Sequence, residues 1–308
     1  MPSNAKRLLR IGHRLTIVWI LALVGYGAEG LAQSYRTQVV VSGLSRPTGI
    51  EASGSGTLFF TQLPTPGMSG MQGGRNTVNE VNLASGKIAV LTQGEPEPTN
   101  LTFSKGVLYW TCKSAGVILQ RLSNGAVSLF LGGLNHPSGI SIDPWNRVYF
   151  TQLPTPGVPG TMGGTNTVNV SDGVTTQVLT MGEPEPTDIA VAKDGTAYWT
   201  CKSANVILKR TPSGVVSLLL SGLDKPVGIA LDHQGKNLYW TEVPTPGVPG
   251  SMGGRNKVNE LDLETMSTSV VDFGDPEPTD ITVAPNGNLY WTCSSAGVIV
   301  EAERLGGR

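Results

Sequence analysis

Histidine and cysteine are scarce in this chain, and most of the usual machinery of catalysis goes with them. The 308 residues hold 3 His and 3 Cys, and only 15% are Asp, Glu, Lys or Arg. No GxSxG, HExxH, P-loop or GxGxxG occurs. His13 lies in a basic leading segment, which leaves His136 and His233. That inventory argues against a catalytic triad or a histidine-based zinc site. A basic stripe is missing as well, so nucleic acid is not an expected partner. Long apolar runs are absent after residue 25, and no transmembrane segment is expected there.

The leading segment reads as an export signal. Lys6, Arg7, Arg10 and Arg14 precede the apolar run LTIVWILALVG at 15–25, and Gly30-Leu31-Ala32 offers a small-x-small cleavage site. The expectation is a signal peptide over 1–32 and a mature chain over 33–308, secreted to an extracellular or periplasmic space. The alternative is an uncleaved N-terminal anchor.

What the chain has in quantity is turn residues. Forty Gly and 21 Pro, set between short apolar runs, favour an all-β protein. The runs repeat. An aromatic-aromatic-Thr triplet ends at Thr61, Thr111, Thr151, Thr200, Thr241 and Thr292, at spacings of 50, 40, 49, 41 and 51 residues. The unit is a pair of about 45-residue segments, present three times. Each segment breaks into four runs, such as PTDIAVA, TAYWTC, NVILKR and VVSLLL, parted by turns. Four antiparallel strands at this period make a propeller blade. The last segment supplies only three, and TQVVVSGL (37–44) matches the fourth strand of the others. The expected fold is therefore an all-β, six-bladed β-propeller of four-stranded antiparallel blades. The N-terminal strand closes the ring beside 297–303 and leaves no open edge there.

LYWTC (108–112), LYWTE (238–242) and LYWTC (289–293), with Pro-x-Gly-Ile at 47–50, 137–140 and 226–229, resemble the repeats of six-bladed propellers of the YWTD, NHL and gluconolactonase-like (TolB-like) type. The family's aspartate is replaced at all six positions, by Gln62, Cys112, Gln152, Cys201, Glu242 and Cys293. The resemblance implies that loops between second and third strands share a face with the blade-to-blade connections. Three of these loops are long and Pro/Gly-rich: TQLPTPGMSGMQGGRN (61–76), TQLPTPGVPGTMGGTN (151–166) and TEVPTPGVPGSMGGRN (241–256). Proline fixes φ and leaves little entropy to lose on binding, so such loops can preorganise a recognition surface.

The blade-to-blade connections carry the candidate site. The residue before the aligned proline is Arg46, Glu97, His136, Glu185, Lys225 and Glu277 in turn, a ring of alternating sign expected to bind a ligand or to pair internally. Glu95, Glu183 and Asp275 lie close by in sequence. Two positions after the proline, Gly49, Gly139 and Gly228 alternate with Asn100, Asp188 and Asp280. The favoured function is a binding module for an extracellular ligand or protein on the long-loop face. The alternative follows the gluconolactonase-like resemblance, which implies a metal-dependent hydrolase or lyase. Asn100, Asp188, Asp280 and Glu185 would then hold Ca²⁺ or another divalent cation in the channel, and His136 would be the proton carrier. Cys112, Cys201 and Cys293 occupy equivalent sites in alternate blades, about 20 Å apart by strand spacing. That is too far for a disulfide, and they are expected as small buried hydrophobes.

Overall fold

The computed structural model describes residues 35–54, 56–64, 75–154, 165–244 and 256–306. The expected export signal and the tips of the three long loops lie outside the described residues. Six four-stranded antiparallel sheets form the blades, and in five of them the strands follow in chain order from inner to outer. The sixth is completed by Tyr35–Val41, which pairs with Val298–Arg304 in the register Tyr35↔Arg304 to Val41↔Ile299. Both strands fall within two or three residues of their expected positions.

Burial grades outward within each blade. The second strands, such as Val107–Cys112, are buried on both faces, while outer strands such as Val127–Leu131 are largely exposed. This explains why the LYWTC runs do not alternate: each sheet is covered by a neighbouring sheet on either side. The apolar core is accordingly split into six layers between adjacent blades. In one, Phe59 and Val78 of blade one meet Leu101, Trp110 and Cys112 of blade two.

The invariant threonine of the triplet explains the repeat most directly. All six are 0% exposed. Each inner strand carries an irregularity just after its proline, between Pro186 and Ile189 in blade four. The threonine of the adjoining strand fills the gap it opens. Thr200 Oγ1 accepts the Asp188 N–H at 3.1 Å and donates to the Val227 carbonyl of the next blade at 2.7 Å. Thr111 does the same with Asn100 and Ser138, and Thr292 with Asp280 and Thr48. A methyl group holds the hydroxyl in one rotamer while two blades share it. The belt thus fastens every bulged N–H without water.

Candidate functional site

The six charged ring residues have one backbone role in common. Arg46, Glu97, His136, Glu185, Lys225 and Glu277 all have positive φ, between 48° and 58°. Left-handed backbone costs a side-chain-bearing residue about 1–2 kcal/mol. Here it turns each carbonyl toward the end of the second strand. Arg46 O accepts from Leu63 N at 3.0 Å, Glu185 O from Lys202 N at 3.0 Å and Lys225 O from Val243 N at 3.2 Å, with matching bonds in the other three blades. The side chains are left free of one another. Arg46, His136 and Lys225 are exposed, the three glutamates are half-buried, and no ion pair joins them among the described residues. Internal charge pairing is therefore not what the ring does.

The same bonds anchor the roots of the long loops. Leu63, Leu153 and Val243 are buried at the entries. At the exits Asn76, Asn166 and Asn256 are buried, and each donates its side-chain N–H to a carbonyl of the next connection: Glu95, Glu183 and Asp275, at 2.9–3.0 Å. Gln62 and Gln152 take up the place of the family's aspartate, each accepting a backbone N–H at 2.6 Å from Ser45 and Asn135. Glu242, their counterpart in blade five, accepts the indole N–H of Trp240 instead, at 3.0 Å.

Glu95, Glu183 and Asp275 turn back into their own blades and do not join the ring. Asp275 accepts the Trp291 indole N–H at 2.6 Å and lies 3.7 Å from the Cys293 sulfur. Glu95 sits likewise beside Trp110 and Cys112, and Glu183 accepts the Thr180 hydroxyl. All three cysteines are buried free thiols. Burial, and then the neighbouring carboxylate, pushes each well above the usual thiol range, which makes them inert.

On the axis, Asn100, Asp188 and Asp280 meet. Asn100 Nδ2 donates to Asp188 Oδ1 at 2.8 Å. Asp188 also accepts the N–H groups of Ile189 and Ile229, and Asp280 those of Ile281 and Ile50, all at 2.8–2.9 Å. The intervening glycines are required by contact. A Cβ on Gly139 would lie 2.4 Å from the Asp188 Cα, and one on Gly49 would lie 2.8 Å from the Asn100 Cα. Burial pushes Asp188 up to about 7 against the pull of its amide partners. Asp280 is raised well above the ordinary carboxylate range by burial and then by Asp188.

Below this constriction the channel widens into a cavity of about 390 Å³, lined by Glu51, Thr102 and Ser141 and reaching Lys193 and His233 in the short turns. It opens on the face opposite the long loops. Glu51 escapes a motif-based reading because it lies inside a strand, and burial pushes it up to about 8. Its signal is visible only when the repeats are superposed, where Ser141 and Ala230 take its place.

No family model matches the chain. Over 104 residues, 32% of the chain, it is 33% identical to the mouse low-density lipoprotein receptor-related protein 5, of which the match spans 6%. Among solved structures it superposes on nidogen in a nidogen/laminin complex with a TM-score of 0.60 at 17% identity, covering 77% of this chain and 84% of that one. It also superposes on regucalcin, a calcium-binding protein of Agrobacterium tumefaciens, with a TM-score of 0.66 at 14% identity over 88% and 94%. The fold is a six-bladed propeller of the YWTD and gluconolactonase-like type. Structures at this identity share the propeller's architecture alone. No metal site accompanies the likeness to regucalcin: among the described residues no group of three or more His, Cys, Asp or Glu is placed to hold an ion. Every carboxylate oxygen of Asp188 and Asp280 already accepts a backbone N–H, and Asn100 presents an amide N–H to them. The four expected ligands are not gathered round one point, since Glu185 stands off the channel and Asn100 turns its N–H and not its oxygen toward Asp188, whereas a divalent cation needs several oxygens at about 2.3–2.6 Å.

Proposed function

We propose that the chain is an exported binding module that engages a protein or other extracellular ligand through the long-loop face. One observation carries this reading: the three loop roots are anchored by matching hydrogen bonds, around a ring whose charged side chains form no ion pair among the described residues. Rigid roots limit the entropy that the loops lose on binding, and unpaired half-buried charges select the partner more than they stabilise the fold. LRP5 is by name receptor-related and nidogen is bound to laminin in its structure, which supports a recognition role for a propeller of this type.

The test is retention of partners from the medium or cell surface of the source, with immobilised mature protein. Replacing Glu97, Glu185 and Glu277 by Gln, and separately shortening the 155–164 loop, should each release the bound partner while the circular dichroism stays unchanged. Identical retention by both variants would sink the reading. N-terminal sequencing of the exported protein should begin at Gln33.

The alternative, a hydrolase or lyase dependent on Ca²⁺ or another divalent cation, has lyases among the solved structures of this fold, at 17% and 19% identity, a likeness of architecture alone. His136, its proton carrier, is exposed on the loop face beside Asn135 and away from the channel lining.

A further inference from the structure

The channel cavity is unused by a module that works through its opposite face, and it departs from the repeat that shapes the rest of the molecule. One layer below the constriction the six inner strands point Glu51, Thr102, Ser141, Ala190, Ala230 and Thr282 at the axis. The three repeats are near-copies, yet this layer is lopsided. On one side Glu51 sits between two threonines: its carboxylate accepts the Thr282 hydroxyl at 3.1 Å, the Phe103 N–H at 3.4 Å and the Thr102 hydroxyl. A carboxylate offers about four acceptor sites, so one is left over. The opposite wall, Ala190 and Ala230, is small and apolar. The constriction above makes the cavity blind toward the long loops, because glycine and Asx backbones are already in contact there.

We propose that this cavity is a binding site for a small organic cation, a primary ammonium carrying a short aliphatic group, which enters from the short-turn face. The ammonium donates to Glu51, and its methylenes lie against Ala190 and Ala230. Size favours such a guest. About 390 Å³ falls within the range of small-molecule pockets, and far exceeds what one metal ion fills. Charge favours it too. Asp143 and Asp232 line the cavity toward its mouth, and Asp143 is tied to Arg147. Lys193 and His233 are the basic groups of the lining. Below the mouth the ionisable lining is acidic throughout: Glu51, Asp188 and Asp280. Burial favours the protonated Glu51 while the cavity is empty, and a cation that enters and displaces that proton makes a charge-assisted hydrogen bond stronger than a neutral one. The site does not depend on the long-loop reading and stands if that reading fails.

The probe is n-butylammonium chloride, titrated into the full mature chain by calorimetry, with n-butanol and CaCl₂ as comparators. Butylammonium should bind, and butanol at least about tenfold more weakly, a difference of about 1.4 kcal/mol. Glu51→Gln should weaken butylammonium by a similar factor and leave butanol unchanged. Ala230→Leu, which fills the cavity from the other wall, should abolish both. Loop-face variants such as Arg46→Ala should bind as the parent does. The proposal is overturned if butylammonium does not bind, if butanol binds as well, if CaCl₂ alone binds, or if Glu51→Gln and Ala230→Leu both keep full affinity.

Discussion

Odd and even blades share one strand plan and solve the crowding at the axis in opposite ways. Blades one, three and five put glycine at the bulge; blades two, four and six put Asn100, Asp188 and Asp280 there. Each Asx reaches two neighbours. It abuts the glycine of the preceding blade, within its own repeat, and Asp188 and Asp280 also accept an N–H from the isoleucine of the next repeat. Alternation is thus a packing requirement: six Asx side chains would collide, and six glycines would leave the isoleucine N–H groups that follow the bulges without acceptors. The two-blade period in the sequence follows from this contact as much as from the long loops.

The comparison breaks most severely if an odd blade is given an even blade's side chain. Gly139→Ala drives a methyl into backbone 2.4 Å away, which cannot rotate aside. About 3 kcal/mol of stability should be lost in urea unfolding. Gly228 and Gly49, with nearest approaches of 2.7 Å and 2.8 Å, should follow in that order. Equal costs at all three would show that the axis relaxes freely.

What both kinds of blade share is the threonine belt. Thr200→Val keeps the shape and strands two partners, the Asp188 N–H and the Val227 carbonyl. The expected cost is about 2 kcal/mol, against less than about 1 kcal/mol for Thr200→Ser, which keeps the hydroxyl. If serine were as damaging as valine, the methyl and not the hydroxyl would be the fastener.

Even blades also differ among themselves, since Asn100 is neutral where Asp188 and Asp280 titrate. Both aspartates are raised above their unfolded values, Asp188 to about 7. Between the ordinary carboxylate range and those values the folded state binds more protons than the unfolded one. Stability is therefore greatest below about pH 4 as far as this pair is concerned, and declines as pH rises through 7. Glu51, at about 8, adds to the same decline. Asp280→Asn makes blade six resemble blade two. It should flatten the fall in melting temperature between pH 5 and 9, even with a small loss at pH 5 from the missing acceptor. A parent protein whose stability rises over that interval would contradict the buried pair.

The triplets, turn glycines and missing sixth outer strand made the blades and their closure readable, because strand period and turn chemistry act locally. The ring residues were readable as positions and not as conformations. Arg46 or Glu97 before a proline carries none of the Gly or Asn signature of left-handed backbone. What forces it is a tertiary bond to Leu63 or Lys113 that composition does not announce. Asn100, Asp188 and Asp280 were correctly grouped by the repeat. The lone pairs of Asp188 and Asp280 were not assignable until the isoleucine amides of the neighbouring blades appeared. Glu51 was hidden for the reverse reason: it breaks the repeat, and the eye follows what recurs.

The smallest difference between the two sets of blades lies at the position after the threonine. Even blades bury cysteine there, while Gln62 and Gln152 reach out to hold Ser45 N and Asn135 N. These amides lie at exposed connections, where water can replace a lost acceptor. Gln62→Ala should therefore cost only about 0.5–1 kcal/mol. Gln152→Ala should cost the same, and the double variant the sum, since the two sites sit in different blades with no shared partner. A double variant costing clearly more than the sum, by the same urea midpoints, would mean that the connections around the long-loop face form one cooperative rim.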